Sequence, residues 1–311
     1  MSKLVVIGSS NTDMIIQVPE LPRPGETVLG GAFNTAPGGK GANQAVAAAR
    51  AGGDVSLIAC VGKDMFGEQA LAGFAEAGIN TQHCVIDEDA PSGIAQIVVS
   101  SSGENSIAVA SGANARLSPR HLDAAQPLIS AAAVVVLQLE TPVVTVVHAA
   151  QLAAQANSVV ILNPAPAQAL PDELYPLLSL ITPNETEAEL LTGISVHDET
   201  SAAQAADILH TRGVDTVMIT RGRQGVFLSQ RDASGETRRQ QFPAFDVTAV
   251  DTTAAGDVFN GSLAVALTEG QVIDAAIRFA QGAAAISVQT LGAQTSAPER
   301  QVIVDFISLN S

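Results

Sequence analysis

Basic residues are scarce: 15 Lys and Arg stand against 31 Asp and Glu in 311 residues, a formal net charge of −16. Nucleic acid is bound by clustered Lys and Arg that neutralise phosphates. The longest basic run here is Arg238-Arg239, so no nucleic-acid partner is expected. Charge of either sign is thin: charged residues make up 15% of the chain and hydrophobic ones 47%, against about 25% charged in an ordinary globular domain. A chain of ~300 residues buries roughly 75% of its extended surface, so this composition implies a large core and excludes intrinsic disorder. Cysteine is nearly missing. Cys60 and Cys84 are too few and too far apart for a CxxC pair or a disulfide framework, and read as two buried small hydrophobes in a reducing compartment. Long apolar runs are missing too. The stretch after Met1-Ser2-Lys3 ends at Ser9, short of the roughly 7–15 apolar residues in a signal-peptide core. Runs such as Ala131–Leu137 fall far below the ~20 residues that cross a bilayer. The expectation is a cytoplasmic protein with no membrane partner.

What is there is alternation. Apolar, β-branched runs at Leu4–Ile7, Val55–Val61, Ala133–Leu139, Ser158–Leu162, Leu177–Ile181 and Thr216–Thr220 are separated by Ala-rich amphipathic stretches. These stretches are Ala42–Ala51, Gly67–Ala77, Pro119–Ile129, Val143–Ala156, Glu185–Leu191, Ser201–Arg212 and Asp257–Thr268. Strand-then-helix order predicts an α/β fold, a mainly parallel sheet between two helical layers. Ser118-Pro119 reads as a helix start, and Gly52, Gly78 and Gly213 stand where helices end. Two regions, Ile15–Phe33 and Gly93–Ala110, lack helical period and read as short strands. They predict one domain over 1–311 carrying a small discontinuous β-sheet lid, about 12–37 and 93–111.

Ligands of open α/β sheets bind beyond the carboxyl ends of the strands, which directs attention to the residues after each apolar run. Gly38-Gly39-Lys40-Gly41-Ala42-Asn43 runs into a helix over Gln44–Ala51. Its glycines permit close backbone approach, and Lys40 and Asn43 can donate hydrogen bonds. A flexible loop ahead of a helix is the plainer alternative. Asp251-Thr252-Thr253-Ala254-Ala255-Gly256-Asp257 places small residues ahead of a helix start, where free N–H groups and the helix dipole attract an anion. Asp257 reads either as a helix cap or as a base that takes a hydroxyl proton during phosphoryl transfer. Asn184 and Glu187, three residues apart, form a capping box or contact a nucleotide phosphate and the water shell of Mg²⁺. The common nucleotide motifs GxxxxGK[ST] and GxGxxG are absent, as are HRD, DFG and GxSxG. The five histidines have no ligand spacing and read as surface or solvated helix residues.

GGKGANQAVAA at 38–48 and DTTAAGDVFNG at 251–261 resemble the two signatures of the ribokinase-like (PfkB) carbohydrate kinases. The order of Gly8–Asp13, Leu137–Glu140, Asn163–Pro166, Asn184–Glu187 and Thr220–Gly225 is similar from end to end, and the resemblance covers essentially the whole chain. It implies ATP-dependent phosphorylation of D-ribose at the 5-hydroxyl. It also implies that the sugar is held by Asn11, Asp13, Gly39, Lys40, Gly41, Asn43, Glu140 and Asp257, with Asp257 as general base. Ala254, Ala255 and Gly256 would form the anion hole. ATP would lie across Asn184, Thr220, Arg221, Gly222, Gly225, Gly256 and Gln281, with Mg²⁺ held through water at Glu187. Asp251, Thr253, Ser287, Thr290, Gly292 and Ser296 align with the family's K⁺ loop. Arg221, Gln281 and Ala255 depart from the commoner family residues. A deoxyribose kinase, another small-sugar kinase and a sugar-binding regulator without catalysis are the rival readings. Exposed lid edges ask to be covered, which predicts a homodimer joined through the lids.

Overall fold

Short β-branched runs form the spine of the molecule because both of their faces are covered. Leu4–Ile7, Val55–Ile58 and Val134–Leu137 are buried at every position, the pattern of a parallel sheet between helices. The computed structural model describes residues 3–232 and 234–310; of the expected domain over 1–311, residues 1, 2, 233 and 311 lie outside them. Across the main sheet the strands are Val55–Ile58, Leu4–Ile7, Val134–Leu137, Val159–Leu162, Leu180–Ile181, Thr216–Thr220, Val226–Arg231 and Thr237–Phe242. The first six pair in parallel and the last two close it as an antiparallel hairpin. Alternate side chains sort into two cores. Val5, Ile7, Ile58 and Val135 join one apolar cluster, while Leu4, Val6, Leu57 and Val134 join the other. The first packs under Val143–Gln155 and Glu199–Thr211, the second under Lys40–Arg50, Ala255–Thr268 and Ile273–Ser287. The result is the three-layer α/β/α arrangement.

A second sheet orders Phe33–Gly38, Asn11–Val18, Gly93–Ser100 and Asn105–Ala110. Its central pair is parallel and its outer pairs antiparallel. Asn105–Ala110 is exposed throughout.

Several boundaries differ from the sequence expectation for identifiable reasons. The run Val55–Val61 breaks at Ala59, and Cys60–Gly62 pairs with Val85–Asp87 in a ladder of its own. Pro119–Ile129 splits into Pro119–Ala124 and Gln126–Ala131, because Pro127 has no N–H to continue the first helix. The expected strand Leu177–Ile181 shrinks to Leu180–Ile181 after a 3-10 turn at Tyr175–Leu177. No strand forms between Val18 and Phe33, where Pro19, Pro22 and Pro24 cannot donate to a ladder. The hairpin Val226–Phe242 escapes an apolar search because Arg238, Arg239 and Gln240 face solvent. The helices Ile273–Ser287 and Arg300–Leu309 are further additions. Gly52, Gly78 and Gly213 take positive φ after helices as expected. His210, read as solvated, is buried between the Val214 carbonyl and Ser229 Oγ, at 2.7 and 2.8 Å. Cys60 is buried and Cys84 partly so, and both are free; burial pushes their thiols up to about 11 and about 12.

Candidate active site

Strand Leu4–Ile7 ends at Gly8, and Ser9-Ser10 carry the chain into the small sheet, so Asn11 and Asp13 stand at the junction of the two sheets. The glycine-rich motif meets them there. It is not a free loop: the helix starts at Lys40, with Gly39 before it at φ +91°. A Cβ on Gly39 would lie 2.6 Å from the Asn11 nitrogen, so both the backbone angle and the space call for glycine. Glu140 closes the other side. Its Oε2 accepts from the Lys40 backbone N–H at 2.9 Å and from Ser9 Oγ at 2.5 Å, and Gly41 N–H donates to Ser9 Oγ at 3.2 Å. Asn11 Oδ1 accepts from Asn114 Nδ2 at 2.7 Å, leaving its own amide N–H groups to donate.

Asp257 sits at the third position of the helix Ala255–Thr268 and is buried. The cap of that helix is Ala254, at φ +58°, so the capping alternative for Asp257 does not hold. A non-glycine residue in this left-handed region costs about 1–2 kcal/mol. Among the described residues, the turn leaves the N–H groups of Gly256 and Asp257 without partners, whereas the Ala255 N–H is spent on the Thr252 carbonyl at 3.3 Å. The Asp257 carboxylate is held on both oxygens: Asn43 Nδ2 donates to Oδ2 at 3.0 Å and Gln44 Nε2 to Oδ1 at 2.9 Å. Asn43 Oδ1 is a buried acceptor with no partner.

Three carboxylates, Asp13, Glu140 and Asp257, therefore share one neighbourhood with Lys40. Burial raises Asp13 to about 6, helped by the charges of Glu140 and Asp257 and opposed by Lys40. Burial also raises Asp257, with Glu140 adding to it, while Lys40, Asn43 and Gln44 pull the other way. A carboxylate made more basic in this way can accept a proton near neutral pH.

From Asp257 a cleft of about 790 Å³ extends along the strand ends, lined by Lys40, Asn184, Glu187, Thr220, Gly225, Gly256 and Gln281. Gly222, Ala254 and Ala255 line it too. Asn184 and Glu187 make the full capping box, each donating a backbone N–H to the other's side chain at 2.8 Å. Glu187 still faces the cleft, and burial raises its carboxyl. Thr220 lies in a β-bridge with Asn184. Gln281 Nε2 donates to the Phe242 carbonyl at 3.0 Å, and its Oε1 is buried without a partner.

Arg221 is placed differently from the expectation. Its backbone N–H donates to Gly225 O at 2.8 Å in a tight turn, and the side chain is buried against Gln241 and the His197 carbonyl. The neighbouring Arg223 lines the cleft instead. Of the expected cation loop, Asp251 accepts from the Thr253 and Gly292 N–H groups, both at 2.9 Å, which ties the two segments together. Those bonds outweigh burial and hold its carboxyl below the usual range. The Ser287 and Ser296 hydroxyls donate to carbonyls of their own turns, and Thr290 N–H to Ser287 O. Among the described residues, no cluster of three or more His, Cys, Asp or Glu is placed to hold a metal.

Sequence reasoning missed Ser9, Asn114, Gln138 and above all Gln44. The signal for both glutamines is present: Gln138 is a lone amide inside the apolar run Val134–Leu139, and Gln44 follows Asn43 directly ahead of the apolar run Ala45–Ala49.

The model of the pfkB family of carbohydrate kinases matches residues 1–300. The chain is 49% identical to a ribokinase of Haemophilus influenzae, over 98% of each protein. It is similar to the structure of a Thermotoga maritima ribokinase, with a TM-score of 0.89 and 37% identity over 99% of this chain and 100% of that one. An Arabidopsis thaliana ribokinase solved with ribose and ATP superposes with a TM-score of 0.92, at 32% identity over 98% of both chains.

Proposed function

The chain belongs to the pfkB family of carbohydrate kinases, and we propose from that membership that it transfers the γ-phosphoryl group of ATP to the 5-hydroxyl of D-ribose. The products are D-ribose 5-phosphate and ADP. One observation carries the chemistry: a buried carboxylate, Asp257, beside two unpaired N–H groups at a helix start, where the sugar-side cluster meets the long cleft. Asp257 takes the hydroxyl proton as the sugar oxygen bonds to phosphorus, and the bond from phosphorus to the departing ADP oxygen breaks. The Gly256 and Asp257 amides face the charge that gathers on the transferred group.

Asn11, Asp13, Gly39, Lys40, Gly41, Asn43 and Glu140 hold the sugar. Acceptors and donors alternate among them, which suits neighbouring hydroxyls. The free amide of Asn11 favours ribose, because 2-deoxyribose would leave a buried polar group unpaired. ATP lies across Asn184, Thr220, Gly222, Gly225, Gly256 and Gln281, with Arg223 rather than Arg221 reaching the cleft.

Glu187 suits a hydrated Mg²⁺. It is a buried carboxylate facing the cleft, and Mg²⁺ keeps several waters instead of seeking an all-protein cage. Bound there, the ion would neutralise phosphate charge. A monovalent cation such as K⁺ suits the segments that Asp251 ties together, through backbone oxygens near Thr253, Ser287, Thr290, Gly292 and Ser296. The small sheet serves as the lid that excludes water from the reaction. Its exposed Phe33, Ile107 and Val109 are the surface for a homodimer, checked by light scattering at micromolar concentration. No described helix is long and apolar enough to cross a membrane; two free cysteines and the use of ATP favour the cytoplasm.

An assay of ADP release over ribose, 2-deoxyribose, fructose and adenosine, with and without K⁺, tests the reading. Ribose should give the highest kcat/KM. Equal or better turnover of 2-deoxyribose would reassign the substrate, and no sugar-dependent ADP from any of them would leave a binding protein.

A further inference from the structure

We propose that Gln44, held in place by Gln138, is the positioning residue for the catalytic carboxylate, setting the plane of Asp257 so that its remaining lone pairs face the acceptor hydroxyl. The inference rests on the reading of Asp257 as the base and adds the device that aims it.

Gln44 is fully buried among the alanines of the helix Lys40–Arg50. A buried primary amide must place two N–H groups and a carbonyl, and Gln44 places all of them within the protein. Its Nε2 donates to Asp257 Oδ1 at 2.9 Å and to Asn163 Oδ1 at 3.0 Å, and its Oε1 accepts from Gln138 Nε2 at 2.6 Å. Both N–H groups are spent on protein, so Gln44 orients the carboxylate and has no donor left for sugar. With Asn43 on Oδ2 at 3.0 Å, both carboxylate oxygens are held and rotation of the group is blocked.

The chain keeps space for this arrangement. A Cβ on Gly8 would stand 1.9 Å from Gln138 Oε1 and 2.9 Å from the Gly41 Cα, so glycine at the end of the first strand lets the Gln138 amide reach Gln44. On the far side, the Thr182 hydroxyl donates to Asn260 Oδ1 at 2.7 Å, and Asn260 Nδ2 donates to the Gly256 carbonyl at 2.8 Å. Asn163 Nδ2 approaches the Thr182 carbonyl at 3.5 Å. One buried network thus touches both the carboxylate and the amide turn that receives the phosphoryl group. Its members around Asp257 are neutral. An Arg or Lys in the place of Gln44 would hold the carboxylate as firmly but would lower its basicity, which a base cannot spare.

Gln44→Met, of similar length and volume but without donors, tests this. Lys40, Asp13, Glu140 and Glu187 also act on Asp257 and are unchanged in the variant, so any difference reports on Gln44. The expected result is a kcat lower by about 10- to 100-fold, a ribose KM little changed, and an acidic limb of the kcat–pH profile moved to higher pH, because the carboxylate loses a donor. Gln138→Met should move both quantities the same way by less, and it carries the test if Gln44→Met does not fold. A folded variant with wild-type kcat and an unmoved acidic limb overturns the proposal, as does a loss confined to KM. Asp257→Asn is measured alongside. If it turns over normally, the base reading fails as well; if it is dead while Gln44→Met and Gln138→Met behave as wild type, only the positioning role fails.

Discussion

The two ends of the site are built from different materials. At the proposed sugar end the groups are side chains: Asp13, Asn43, Glu140 and Asp257 gather around Lys40, and burial together with the Glu140 charge raises both Asp13 and Asp257. At the proposed nucleotide end most of the work would fall to the backbone, in the Gly256 and Asp257 amides and the turn at Gly222 and Gly225. The difference follows from charge. With 15 basic residues in the whole chain, a polyanion cannot be drawn in by a basic field, so short-range N–H groups and a helix start must bind it. A neutral polyol needs directional acceptors and donors, which side chains supply.

Substitutions at either end should therefore have separable effects. Among changes that alter binding at one end, the largest is expected at Asp13→Asn, which removes a charged acceptor and should raise the ribose KM by about 10- to 100-fold with the ATP KM little changed. The same change should stabilise the protein at pH 7. The folded-state pKa of Asp13 is raised from 3.8 to about 6, so its contribution is favourable below the unfolded value and is lost as pH rises through about 6. Asn escapes that loss, giving a gain of about 1–2 kcal/mol at pH 7 that shrinks by pH 5, readable in urea titrations at the two pH values.

At the other end, Gln281→Leu removes the orphaned Oε1 and should raise the ATP KM by about 2- to 10-fold without moving the ribose KM. A matching rise in both would erase the distinction between the ends. Smaller still are Ser287→Ala and Ser296→Ala. Their hydroxyls bond to their own turns, so activation by K⁺ should stay within about twofold. Asp251→Ala, which frees the Thr253 and Gly292 N–H groups, should weaken that activation clearly in a K⁺ titration.

The same contrast explains what could be read from the chain. Asp257, Asn43 and Glu140 are legible because their chemistry is in their side chains and strand ends tell where to look. Backbone donors carry no letter: that Ala254 adopts φ +58° and frees the amides of Gly256 and Asp257, not those of residues 254–256 as a group, depends on the local turn. Arg221 and Arg223 are equivalent in composition, and only the turn after Thr220 decides which one enters the cleft. Gln138 hides because a single amide in an apolar run looks like tolerated packing until its partners are seen, and Gln44 because it reads as an extension of the Asn43 motif. In the fold, the β-branched strands announced themselves by burial on both faces. The hairpin Val226–Phe242, with one polar face, did not.

The central claim is that Asp257 is the base of a ribose kinase. Asp257→Ala, assayed for ribose-dependent ADP release together with direct ribose binding, tests it most directly. The account predicts a kcat lower by at least about 10²–10⁴-fold with ribose still bound; near-normal turnover would contradict it.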